Sequence, residues 1–225
     1  MSIAEQRKNC AEEPRGTDGG DPSALEPARQ GGGRLAHYLL PAVVVGLAFF
    51  LRLYLLPSAP FGWHLDEATK GLLARDVLAG KHHPVFFSAF TGREALYVYL
   101  EAAAFALFGE GMFAGRLLSA FIGVLTVAVT YSAGKALFSR RVGLLAAALL
   151  AASLWHLIAS RNGYRAVIQP LVQLPALWFL FRGWRAAPDE KGRGWNFVIA
   201  GLFLGLTQYT YTAARAFPAL VLALI

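Results

Sequence analysis

The chain has 225 residues, of which 56% are of the types AVILMFWYC and only 16% are charged. That balance is too apolar and too poor in charge for a water-soluble domain, so much of the apolar surface must face lipid. A formal net charge of +7 does not make the chain a nucleic-acid binder, because the basic residues punctuate apolar stretches instead of forming one patch with interleaved aromatic residues.

Residues 1–33 are rich in Gly, Pro, Ala, Glu and Arg and have no apolar period, which predicts a disordered cytoplasmic tail. A secretory signal would place its apolar core close to Met1, whereas the first apolar run here starts at Leu35. Cys10, the single cysteine, lies in this tail, so no disulfide can form within the chain. Crossing a hydrocarbon core of roughly 30 Å takes about 20 helical residues. Spans are expected at 35–56, 117–138, 142–159, 166–181 and 197–214, and a sixth opens at 216 and is still apolar at Ile225. A helix cut there would leave carbonyls unpaired in lipid, so the chain is expected to continue. The expected fold class is all-α, a polytopic integral membrane protein, with 34–225 as one membrane module.

The stretch Glu94–Phe108 decides the topology. If it crosses, Arg140, Arg141, Arg182, Arg185, Lys191 and Arg193 fall outside, against the positive-inside bias. If it lies flat, they are cytoplasmic. Glu94 and Glu101 are one helical repeat apart and stack on one face, opposite Leu96, Tyr99 and Ala103, which suits an interfacial helix. Residues 57–116 then form one outer loop with surface helices at about 66–79 and 94–108. A loop of that length usually carries function.

Beyond the tail, the loop holds Asp66, Glu67, Asp76, Glu94, Glu101 and Glu110, and the cytoplasmic side holds only Asp189 and Glu190. Acid–base chemistry on the outer face has this loop to draw on. Asp66 and Glu67 are adjacent, just after Trp63 and His64. A carboxylate beside apolar surface has its pKa raised and suits a general base. The same two residues also suit the cap of a helix, where negative charge is favoured. Spacing alone leaves both readings open.

Three segments in order, WHLDEATKGLLARDVLAG, TGREALYVYLEAAAFALFG and GRLLSAFIGVLTVAVTYSAGKALFSRRVGLLAAALLAASLWHLIASR, resemble the N-terminal part of GT-C glycosyltransferases of family 39. That family includes the protein O-mannosyltransferases and the aminoarabinose transferases of lipid A. The resemblance covers about 35–225. It implies transfer of a sugar from a polyprenyl-phosphate donor to an acceptor hydroxyl on the outer face of the cell membrane, with inversion. The chain by itself is expected to be inactive. Asp66 stands at the family's catalytic acid, which accepts the acceptor's proton, and Glu67 is the second residue of that pair. Arg93 stands where many members have the Lys of Lys-Pro-Pro-Leu-Tyr, and Tyr97 matches that Tyr; both would hold the carrier phosphate.

The sequence departs from that pattern in two places. It reads Arg-Glu-Ala-Leu-Tyr, without the prolines and with Glu94 beside Arg93. After Ser160 and Arg161 it also lacks the acid that aminoarabinose transferases carry five or six positions on. Arg161 and Arg165 become outer cations near the lipid phosphate, or simply snorkel at a helix end. Tyr209, Tyr211 and Arg215 could line the donor groove or anchor the helix at the interface.

His64, His82 and His83 lack the spacing of a metal cluster, so no metal is expected. Trp155 and His156 read as anchors, and Pro170, Pro175, Gln169 and Gln173 as a bend with a polar lining. No phosphate-binding glycine loop and no DxD occur, which agrees with a lipid-linked donor better than with a nucleotide sugar. The alternatives are a transporter, which would place charges near the bilayer midplane where only His37, Arg52 and the two glutamines come close, or a non-catalytic scaffold. The expected partners are the polyprenyl-phosphate sugar, a hydroxyl acceptor and membrane lipids, with no nucleic acid.

Overall fold

Apolar helix formers fill the stretches between Gly and Pro, and the chain folds as a series of helices. The computed structural model describes residues 30–59, 61, 62, 64–81, 83–89 and 92–224, with side chains from Tyr38 to Ala223. Most of the expected tail, with Cys10, lies outside the described residues, as do Trp63, His82 and the side chain of His37. The chain divides into Met1–His37 and Tyr38–Ile225. Of the first unit only the opening of helix α1 (Gln30–Leu53) is described.

The second unit holds the rest of α1, then α2 (Leu65–Leu78), the antiparallel pair β1 (Phe86–Phe87) and β2 (Arg93–Glu94), and α3 (Ala95–Phe108). There follow α4 (Met112–Leu137), α5 (Arg140–Ala152), α6 (Leu154–Arg161), α7 (Ile168–Arg185), α8 (Arg193–Thr207) and α9 (Phe217–Leu224). Among the described residues α4 is the one helix long and apolar enough to cross a membrane alone; α5 and α6 pass only as a pair bent by 59°.

That bend departs from the single helix expected over 142–159. Ser153 takes an extended backbone (φ −62°, ψ 118°), and Arg52 reaches from α1 to the Ala151 carbonyl at 3.4 Å. A break at membrane depth is tolerated where a neighbouring group satisfies the freed carbonyl. The same guanidinium donates to the Ala48 carbonyl at 3.1 Å and meets His156 Nδ1 at 2.7 Å. His156, expected as an anchor, is thus tied to α1. The helix expected to run to 214 ends at Thr207, whose hydroxyl turns back to the Leu204 carbonyl at 2.6 Å. A short 3-10 turn, Thr212–Ala216, follows.

Helix α4 is the axis of the unit. Glycines let its neighbours approach closely: a Cβ on Gly134 would lie 2.7 Å from Gly143 Cα of α5, and one on Gly123 would lie 2.6 Å from Ser160 Cβ of α6. Small residues at such crossings are how helices pack in lipid. At one end of α4, Arg116 meets the head of α2. At the other, the Leu137 carbonyl receives Arg185 Nη1 at 2.8 Å, beside a cavity of about 330 Å³ lined by Arg182 and Glu190 among others. These two ends are about 30 Å apart along the helix, at 1.5 Å per residue.

Helices α2 and α3 pack together through Leu73, Val77, Val98, Ala102 and Phe105, capped by Phe87 of β1. Glu94 and Glu101 do share a face, but it is the inner one, each with 2% of its surface exposed. The expectation of an outward polar face on α3 is therefore corrected. For Glu94 the cause is its pairing with Arg165 near the end of α6, while Glu101 lies against Gly115 of α4 and feels the Lys70 charge.

Candidate functional site

The head of α2 is built first. His64 Nδ1 accepts the Asp66 N–H at 3.3 Å, and Glu67 Oε2 accepts the His64 N–H at 3.4 Å, so His64 and Glu67 cap the helix reciprocally. This releases the Asp66 carboxylate from capping. It turns to Lys70, one helical turn on, with Nζ at 3.1 Å from Oδ2, and to Arg93 of β2, whose Nη1 donates to Oδ1. Burial alone pushes the Asp66 carboxyl up, but Lys70 and Arg93 outweigh it and hold its pKa below the ordinary value. The rise expected from its interfacial position is corrected: two cations, not apolar surface, set its charge.

Glu67, expected as a second catalytic acid, is committed elsewhere. Both of its oxygens are taken by Arg116, with Nε at 2.7 Å and Nη2 at 3.0 Å, and both partners are 2% exposed in their side chains. The Arg116 fork also donates to the Gly62 carbonyl at 2.6 Å. Tyr97, expected at the carrier phosphate, is wholly buried, and its hydroxyl is shared with Ser119. Helix α3 turns that ring inward, toward α4 and under the Lys70 ammonium, 4.8 Å from its centroid. Burial, then Glu101, pushes the Tyr97 hydroxyl's pKa well up.

Strand β2 delivers the next pair of charges. Gly92 (φ +85°) precedes it, and a Cβ there would stand 2.8 Å from the Phe86 ring, so the turn into β2 needs glycine. Arg93 points to Asp66, while its neighbour Glu94 points to the segments that follow α6 and α8. Glu94 Oε1 accepts the Thr212 hydroxyl at 2.5 Å, and Oε2 lies 3.4 Å from Arg165 Nη1. Arg165 also stacks over Tyr211 at 5.3 Å, and the exposed Arg215 over Phe86 at 5.5 Å. The Leu96 N–H donates to the Tyr209 carbonyl at 3.3 Å, which joins the start of α3 to the same segment.

Arg161 is placed differently. Its fork donates to the carbonyls of Leu51 (2.9 Å), Arg52 (3.2 Å), Tyr54 (2.8 Å) and Ala59 (2.8 Å), closing the end of α1. The first two are carbonyls a helix end leaves without partners and the other two belong to the chain just beyond it, so Arg161 serves as a clamp there. The structure pairs Asp66 with Arg93 and Glu94 with Arg165 on successive residues of β2, sets Arg165 over Tyr211 and Arg215 over Phe86, and leaves Tyr97 and Arg161 turned to internal partners.

Sequence reading gave no role to Lys70 or Arg116, and counted Glu101 only among the acids of the loop. Lys70 was open to detection, since it follows Asp66 at i+4 on a helix. Glu101 lies against Gly115 of α4, where a Cβ would come 2.5 Å from its Oε1. Burial raises its pKa to about 7, with Glu67 and Asp66 adding to the rise and Lys70 opposing it. His64, considered as a metal ligand, caps α2 and meets the Tyr164 hydroxyl at 3.2 Å. Among the described residues no cluster of His, Cys, Asp or Glu could hold a metal ion.

A series of apolar helices, with two short helices carrying a carboxylate–cation cluster between the first and the longest, defines a class. The chain is similar to the crystal structure of ArnT from Cupriavidus metallidurans bound to undecaprenyl phosphate, with a TM-score of 0.63 and 22% identity. The match covers 86% of this chain and 35% of that one. The fold is thus the helical fold of the matched part of that protein. Residues 95–225 match the description dolichyl-phosphate-mannose-protein mannosyltransferase, and the chain belongs to that family. No curated protein matches it.

Proposed function

We propose that the chain carries the base and part of the donor site of a membrane glycosyltransferase. It would take a sugar from a polyprenyl-phosphate donor and pass it to an acceptor hydroxyl at the outer face, with inversion. The observation that carries this reading is the Asp66–Arg93 pair at the head of α2, with Arg165 on the neighbouring Glu94 of β2 and Arg215 over Phe86 of β1. A carboxylate for the proton and cations for a phosphate stand on adjoining elements.

In the proposed reaction the acceptor oxygen attacks the anomeric carbon from the face opposite the phosphate. Its proton passes to an Asp66 oxygen, and the bond from the anomeric carbon to the phosphate oxygen breaks with its electron pair leaving on the phosphate. Arg93, with Arg165 and Arg215, stabilises that growing charge; an arginine fork suits phosphate geometry. Arg93 is bound to Asp66 in the free protein, so an arriving phosphate competes for it. As Arg93 shifts to the phosphate, Asp66 loses one cation and becomes a stronger base. Donor binding and base activation would thereby be linked.

Arg93→Ala tests this reading. One charge-assisted contact is worth about 1.5–3 kcal/mol, on the order of 10- to 100-fold in binding. In the full-length protein the variant is expected to express normally and to need that much more polyprenyl-phosphate sugar for half-maximal transfer. Unchanged donor kinetics would remove Arg93 from the donor site.

The orientation is proposed on charge. The site gathers at one end of α4, while Arg140, Arg141, Arg182, Arg185 and Arg193 stand in the terminal turns of α5, α7 and α8, with Lys191 in the loop between the last two, and this charge supports the other end as cytoplasmic. In a Cys10→Ser background, Glu110→Cys should react with an impermeant thiol reagent from outside. Ala187→Cys should react only after the membrane is opened. Labelling of intact cells at 187 would reverse the assignment.

A further inference from the structure

Lys70 is the charge most completely withdrawn from solvent near Asp66, with no exposed surface. An ammonium has three donors. One is on Asp66 Oδ2 at 3.1 Å, another goes to the Gly163 carbonyl, and the face of Tyr97 lies 4.8 Å from the nitrogen. Gly163 belongs to the turn after α6, two residues before Arg165, and takes a positive φ of +65°. A single side chain thus joins the carboxylate at the head of α2 to the turn that carries a candidate phosphate cation.

We propose that Lys70 is a positioning residue for sugar transfer: it fixes the Asp66 carboxylate in place and holds it in one frame with the turn bearing Arg165. The inference rests on the reading of Asp66 as the base. Burying a charge without a partner is costly, and burial does press the Lys70 pKa down, with Asp66 and Glu101 pushing it back up. Of the two cations on Asp66, Arg93 stands on the candidate donor side and is the one a phosphate would draw away. Lys70 is enclosed and stays. It keeps Asp66 ionised while the donor is bound.

The charged and titratable groups around Asp66 are Lys70, Glu67 and His64 on α2 and its cap, Arg93 on β2, Glu101 and Tyr97 on α3, and Arg116 on α4. Of these, Lys70 and Arg93 lower its pKa. The base is active when deprotonated, so its pKa sets the acid limb of the pH–rate profile. Removing a cation raises that pKa and moves the limb to higher pH. An opposite charge at this range shifts a carboxyl by about 1–3 units.

The experiment measures kcat/KM for a polyprenyl-phosphate sugar against pH in the full-length protein, for wild type, Lys70→Met, Lys70→Arg and Asp66→Asn. Lys70→Met is expected to move the acid limb up by about one unit or more. Lys70→Arg keeps the charge on a longer side chain, so the limb stays put while kcat falls on the order of 10-fold or more, as misplacement predicts. A Lys70→Met limb at the wild-type position would overturn the proposal. Were Lys70→Met not to fold, wild-type kcat in Lys70→Arg would overturn it instead. Normal turnover by Asp66→Asn would remove the base itself, a failure distinct from that of Lys70.

Discussion

Arg116→Ala is expected to cost the protein about 3–5 kcal/mol of stability, because it strands the Glu67 carboxylate as an unpaired buried charge. The two side chains are 2% exposed and doubly bonded, and Arg116 also holds the Gly62 carbonyl. The loss should appear as a lower thermal midpoint and a smaller folded yield in detergent. Replacing both partners, Glu67→Leu with Arg116→Leu, should recover much of it, since an apolar pair of similar volume removes both charges together. A functional consequence separates the two roles once expected of Glu67. If its work is to cap α2 and bind Arg116, the folded double variant still transfers sugar. A double variant that folds normally yet is inert would restore Glu67 to the chemistry.

Asp66 was legible in the sequence because an acidic pair directly after an apolar run is a local pattern, and so was Arg93, by its place in the Arg-Glu-Ala-Leu-Tyr element. What joins them was not. Lys70 meets Gly163, and Arg161 meets the carbonyls at the end of α1, across about a hundred residues of chain. No spacing rule reaches that far, so for Arg161 the sequence left an outer cation and a snorkelling helix end as alternatives. The surroundings of Tyr97 were hidden for a related reason: its position was visible, but the packing of α3 against α4 that turns its hydroxyl to Ser119 was not. The bend at Ser153 was hidden because Ala-Ala-Ser-Leu contains neither Gly nor Pro. It depends on Arg52, from another helix, to satisfy the broken ladder.

The direction of the Asp66 shift carries the same lesson. Apolar surroundings alone predict a raised pKa. Two cations that converge only in the fold reverse the sign. A carboxylate held below its ordinary pKa is a weaker base than a free one, so in the proposed mechanism the competition between phosphate and carboxylate for Arg93 matters.

The most direct measurement is sugar transfer by Asp66→Asn in the full-length protein. A hydroxyl is a poor nucleophile at neutral pH, and a base poised beside it is worth about 10²–10⁴-fold in rate. An amide keeps the size of the side chain but cannot accept the proton. Because His64 and Glu67 cap α2, the substitution leaves the helix start intact, and the amide oxygen can still accept from Lys70 and Arg93, although the buried Lys70 loses its counter-charge at a cost in stability. A thermal midpoint measured beside transfer reports that cost, and in the protein that remains folded and inserted, release of sugar from a polyprenyl-phosphate donor should drop by about 10²-fold or more. Turnover within a few fold of wild type would contradict the assignment of Asp66 as the base and with it the proposed site.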